Sequence, residues 1–206
     1  MKVTFCKALF VAVAIVGLAV IGAGAASAQT DVFSVNYFSN NAAPAPDATV
    51  RIDNPGLFYG DQCAMIYVFD SDQQLTECCG CKETHNGLRI LSVRSNLTSN
   101  PLTGVVSRNG VIKIVAAAPN GGGFNGDSEC NPSTAVTPRP NLRAWVTHIQ
   151  NAAPLGTFGG SVNAITETES LDSTLGATEL ANLQASCSFV GILGSGQGVC
   201  SCGTGD

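Results

Sequence analysis

The hydrophobic pattern consists of strand-length apolar runs separated by turn signals. Residues 32–38 concentrate Val32, Phe33, Val35, Tyr37 and Phe38 into a partly alternating segment, which predicts a first strand. The Pro/Ala stretch at 42–48 cannot continue a sheet. Residues 49–52 then predict a brief strand, ended by Asn54-Pro55-Gly56. Residues 63–69 are apolar throughout, with Ala64, Ile66 and Val68 alternating against Met65, Tyr67 and Phe69. Such a strand is covered on both faces.

A polar turn at Asp70-Ser71-Asp72 follows and delivers Cys78, Cys79 and Cys81. Further strands are predicted at 87–93, at 111–117 after the hairpin-type signal Asn109-Gly110, and at 142–150. A weaker one falls at 161–166. In the 142–150 segment, Leu142, Ala144, Val146 and His148 share one face and Arg143, Trp145, Thr147 and Ile149 the other. The loop at 119–141 is long, rich in Gly and Pro, and carries Cys130. A loop of that length is functional or tied down.

The one convincing helix comes last. Thr178-Glu179 follows Gly176 with Glu at the capping-box position, and Leu180, Leu183, Cys187 and Val190 form one apolar stripe. Gly191 and Gly194 are its expected stops. These elements predict a mainly β fold: an antiparallel β-sandwich or partial barrel with one C-terminal α-helix, stabilised by disulfides.

The start of the chain changes the picture of where this domain works. Lys2 and Lys7 precede an apolar run, and a small-residue stretch ends in Ala-Ser-Ala at Ala28. These are the three parts of a secretory signal peptide. The expected organisation is a leader at 1–28, a first strand and linker at 29–48, and a disulfide-stapled domain at 49–206. The expected location is secreted or periplasmic, with no membrane association once the leader is gone.

The 178 residues after the leader hold 8 basic and 15 acidic side chains, a net charge of −7. That balance argues against nucleic acid and anionic membranes, which both require a basic face. Of nine cysteines, Cys6 leaves with the leader. Cys63, Cys78, Cys79, Cys81, Cys130, Cys187, Cys200 and Cys202 remain. An even number in an exported chain reads as a disulfide framework, with 105 connectivities open for eight cysteines. Bridges from the 78–81 node reach the loop through Cys130, or the helix and tail through Cys187, Cys200 or Cys202.

Candidate chemistry is sparse. Cys78, Cys79, Cys81 and His85 resemble a zinc or copper ligand set, but adjacent cysteines lack the usual spacing, and an oxidising compartment consumes thiols. His85 reads instead as an exposed turn residue. Cys79-Gly80-Cys81 and Cys200-Ser201-Cys202 are not the two-spacer redox motif. The glycines at 194, 196 and 198 have no following helix, so they are not a dinucleotide fingerprint. Ser195 lacks the glycine two residues before it that a nucleophile elbow needs, since Leu193 stands there. His148 on its apolar strand face reads as structural, and Glu167 and Glu169 as a solvated strand face. No motif asks for a cofactor.

CAMIYVFD, ECCGC, SNPLTG, LRAW-x-THIQ and ELANLQASCSFVGILGSGQGVCSCG together resemble a family of exported, cysteine-rich bacterial proteins. The resemblance covers most of the chain after about Ala48. It implies a recurrent secreted domain and carries over no activity, cofactor or catalytic residue. The expected function is a non-catalytic structural or binding protein. One route is self-assembly, with strand 32–38 inserted into a neighbour. The other is an extracellular glycan- or protein-binding module that uses the long loop and aromatics such as Phe124.

Overall fold

The computed structural model describes residues 29–57, 59–122, 124, 129–151 and 163–203. The expected leader lies outside them, as do the first two residues of the strand expected at 161–166. In chain order the described residues form β1 (Gln29–Phe38), β2 (Thr49–Asp53), β3 (Gln62–Asp70), β4 (Leu75–Glu83) and β5 (Leu88–Ser92). There follow β6 (Gly110–Ala117), β7 (Arg143–Asn151), β8 (Asn163–Glu169), β9 (Leu171–Leu175) and α1 (Ala177–Leu193). They build two antiparallel sheets, β4-β3-β6-β1-β9 (sheet A) and β5-β2-β7-β8 (sheet B). The expected sandwich with one C-terminal helix is the observed architecture.

The double-sided pattern of β3 positions both halves of the core. Ala64, Ile66 and Val68 meet Val50, Ile52, Ile112, Ile114 and Val146 between the sheets. Met65 and Tyr67 face the other way, among Val115, Leu183, Cys187 and Val190 under α1. Each large apolar side chain buried this way stabilises the fold by roughly 1.5–3 kcal/mol. Described residues of the 119–141 loop, among them Cys130, Pro132 and Val136, also cover this outer side of sheet A. Tyr67 donates its hydroxyl proton to the Pro132 carbonyl at 2.9 Å, and the loop's return is pinned by Ala118 N to Thr137 O at 2.9 Å.

Two strands lie where no strand is expected from the pattern. β4 reads LTECCGCKE, and beyond Leu75 its apolar positions are cysteines, all fully buried. The Cys78–Cys81 node is therefore part of a sheet and not the product of a turn. β9 exposes four of its five residues and is held by pairing with β1. Between β8 and β9 the chain crosses from one sheet to the other. Glu169 pairs with Trp145, Leu171 pairs with Val35, and Ser170 N donates to Ala144 O at 2.7 Å.

The helix starts after Gly176 and ends at Gly194 as expected, and it differs from expectation in two details. Gly191 lies inside it, and the stop is Gly194, whose φ of 60° is the left-handed conformation glycine adopts most freely. Glu179 does not close a capping box: its carboxylate accepts from Lys113 Nζ at 2.6 Å. No helix among the described residues is long and apolar enough to cross a membrane.

Candidate functional site

The cysteines form four bridges: Cys63–Cys130, Cys78–Cys187, Cys79–Cys200 and Cys81–Cys202. Strand alternation decides which partner each β4 cysteine meets. Cys78 points to the outer face of sheet A and takes Cys187 of α1, while Cys79 and Cys81 point to the inter-sheet core. The tail lies parallel to β4, with Cys78 N donating to Gly198 O at 2.9 Å and Cys200 N to Cys78 O at 3.2 Å. Cys200 and Cys202 thus meet Cys79 and Cys81 in step. The long loop is tied to β3 through Cys63 and not to the β4 node as expected.

All three thiols of the zinc-like set are spent in disulfides, and His85 is an exposed turn residue whose backbone N–H donates to Asp61 Oδ1 at 3.2 Å. Among the described residues no three His, Cys, Asp or Glu side chains are placed to hold a metal ion. His148 is fully buried, stacked on the Tyr37 ring at 4.0 Å, with Nε2 2.7 Å from Thr168 Oγ1. Burial lowers its pKa. Phe124 is half-buried against the core cluster under α1, so it does not supply an exposed aromatic.

The polar groups converge elsewhere, at one end of the sandwich where β1, β7 and the β8–β9 corner meet. A cleft of about 120 Å³ is lined there by Asp31, Asn141, Arg143, Glu169, Ser170 and Asp172, with Pro55 and Leu57 on its apolar side. Arg143 donates to Glu169 Oε1 at 2.9 Å, an interaction that raises the guanidinium pKa. Asp172 is pushed above the ordinary carboxylate range, first by burial and then by the charge of Asp31. Asn141 Nδ2 is buried without a hydrogen-bond partner. Asp31 and Asn141 hold positive φ values of 61° and 95°, uncommon for residues other than glycine and found most often in Asn and Asp. Local backbone strain of this kind clusters at ligand clamps.

The cleft is continuous with the outer face of sheet B. Trp145, half-buried, stands across from Arg51 on β2 and Glu169 on β8. Arg51 pairs with Glu167, and the exposed Leu88 and Ile90 of β5 extend the same surface. The sequence reading singled out Glu167 and Glu169 as a solvated face, and both are exposed on β8. It missed Asp31, Asn141 and Asp172, which lie on three separate segments. Only the outward position of Arg143 and Trp145 was legible, from the alternation of 142–150. Comparison with protein-family models, with curated proteins and with solved structures gives no match.

Proposed function

We propose that this chain is an exported, non-catalytic binding protein, secreted or periplasmic, in which a disulfide-stapled sandwich presents the end cleft and the outer face of sheet B to an extracellular glycan or protein. The observation that carries this reading is the cleft itself. It gathers three carboxylates and a guanidinium next to the strand position of Trp145, on a face that no helix among the described residues covers. Four bridges support the export half of the reading, because disulfides persist in oxidising compartments. They also make the scaffold rigid, which lowers the cost of holding a preorganised surface.

Self-assembly by strand exchange is the weaker route. β1 is hydrogen-bonded on both sides within its own chain, to β6 and to β9, and buries Val32, Phe33 and Phe38. Donation to a neighbour would first dismantle this pairing. For the same reason, deleting 29–41 would unfold the domain and would not separate the two routes.

Light scattering does separate them. The chain without its leader is expected to remain a monomer across a wide concentration range, and a concentration-dependent ladder of polymers would restore strand exchange. Binding itself is read by thermal shift against soluble polysaccharides and peptides. A gain in Tm is expected for the native protein and not for an Arg143→Ser/Glu169→Ser variant. An equal gain in both would place the ligand elsewhere.

A further inference from the structure

We infer that the C-terminal tail is an exchangeable strap: the edge of β4 accepts the same tail from a second copy of this chain, giving a closed, disulfide-linked dimer. This stands apart from the ligand reading above. It starts from the edge of sheet A, where β4 is the last strand but its outer backbone groups are answered at three positions. Thr76 O accepts from Leu102 N at 2.9 Å, Cys78 N donates to Gly198 O at 2.9 Å, and Cys78 O accepts from Cys200 N at 3.2 Å. Lys82 O accepts from Arg89 Nη2 at 2.6 Å. The middle of this edge is a strand-acceptor site, and the tail is its resident occupant.

The strap is held independently of the helix before it. α1 is pinned by Cys78–Cys187, so Cys79–Cys200 and Cys81–Cys202 open without releasing it. Residues 194–197 between helix and strap are all exposed, and a Cβ at Gly194 or Gly196 would meet nothing within 4 Å. Residues 194–203 carry no charged side chain, so the strap itself meets no repulsion from a second acidic copy.

Two observations select a second copy as the donor. Its tail reproduces every contact the tail makes within one chain. A hinge of residues 194–197 also spans at most roughly 14 Å, so reciprocal exchange brings the C-terminal ends of the two α1 helices together. Phe189, Ile192 and Leu193 lie there 52, 78 and 49% exposed, an uncharged apolar surface that a monomer leaves in water. Against its two-fold mate that surface is covered.

Exchange needs only a small thiolate. Cys202 is half-buried, whereas Cys79, Cys81 and Cys200 are buried, so opening starts at the tail end. The thiolate attacks Cys202 Sγ, forms a mixed disulfide and releases the Cys81 thiolate. The Cys81 thiolate of a second, likewise opened copy then attacks that Cys202 sulfur, and the small thiolate leaves as it came. The same two steps pass Cys200 to the second copy's Cys79, with no net oxidation. With its bridges intact the chain stays a monomer.

The test mixes equal amounts of unlabelled and isotope-labelled oxidised chain, both without the leader, with a trace of glutathione at low and at high protein concentration. A dimer that survives dodecyl sulfate without reductant is expected only at high concentration with thiol present. Mass spectrometry of its linked peptides should find Cys79–Cys200 and Cys81–Cys202 joining labelled to unlabelled chains, and Cys63–Cys130 always within one chain. Ile192→Ser should lower the dimer fraction by roughly tenfold or more, the effect of one such side chain lost from each copy. Where the native bridges resist thiol, the mixture is reduced, unfolded and reoxidised together at each concentration. Monomer alone by both routes overturns the inference, as does a dimer whose four bridges all stay within one chain. An unchanged dimer fraction for Ile192→Ser overturns it as well.

Discussion

Glu77 of β4 is fully buried, with Oε1 accepting from the Asn100 backbone N–H at 2.7 Å and Oε2 without a partner. Burial pushes its carboxyl up to about 7. The folded-state value lies above the ordinary value of about 4.3, so folding favours the protonated form. The stability this supplies is present in full below the ordinary value and is lost as pH rises through about 7. Glu77→Gln, a mimic of the neutral form, is therefore expected to raise Tm by a few degrees at about pH 8 and to change little near pH 4. Thermal denaturation at the two pH values checks it, and an equal effect at both would show that Glu77 does not titrate in the fold.

Gly80 illustrates another residue-scale constraint. A Cβ there would meet the Cys130 carbonyl oxygen at 2.3 Å, because the loop backbone lies directly against β4. Gly80→Ala should cost about 1–3 kcal/mol, the usual range for overpacking, measured by denaturant unfolding. Neither effect was legible in the sequence. ECCGC reads the same whether Gly80 serves a turn or a close approach, and nothing local says that Glu77 points inward. His148 was legible, because its period-2 neighbours Ala144 and Val146 are apolar, and it is buried as they are.

At the scale of elements, β4, α1 and the tail form one cross-linked unit. The sequence separations of 109, 121 and 121 residues overstate what each bridge contributes. Once Cys78–Cys187 is closed, Cys79–Cys200 closes only the short segment between Cys187 and Cys200, and Cys81–Cys202 then closes only the small ring made by 79–81 and 200–202. Loop-closure entropy grows with the length newly closed, so each bridge tests as small while its neighbours remain. Removing Cys81–Cys202 alone (both Cys→Ser) should cost about 2 kcal/mol, against ~4.7 for an isolated loop of about 100 residues. Removing all three should cost about 10 kcal/mol by the same relation, against roughly 6 for three times the single loss, a non-additivity that guanidinium titrations of the variant series would reveal.

Arg89 holds the other side of this unit. Its Nε donates to Glu83 Oε1 at 2.7 Å and its guanidinium reaches the carbonyls of Cys202 and Lys82, all largely buried. Arg89→Met leaves Glu83 a buried charge and should cost about 3–5 kcal/mol. The pairing was only half legible. C-x-C at 79–81 and C-x-C at 200–202 share a spacing of two, which suits two strands in parallel register. That match becomes informative only once β4 is known to be a strand, and apart from Leu75 and its cysteines β4 has no apolar residue that would reveal it.

For the molecule as a whole, the pattern of apolar runs was enough for the class of fold, because β3 must be covered on both faces and α1 supplies one of the covers. The sheet order was not legible, since β1 pairs with β6 and β9 across long stretches of chain. The site depended on that order. Asp31, Asn141 and Asp172 are brought together only because β1 lies inside sheet A and the chain changes sheets at Ser170. The most direct measurement is a map of backbone amide shifts by NMR as soluble oligosaccharides and peptides are added in turn. The expected result is a contiguous set of perturbations at Asp31, Asn141, Arg143, Trp145, Glu169 and Asp172, with α1 silent. Perturbations centred on α1 or on the 119–141 loop, with the cleft unchanged, would contradict it.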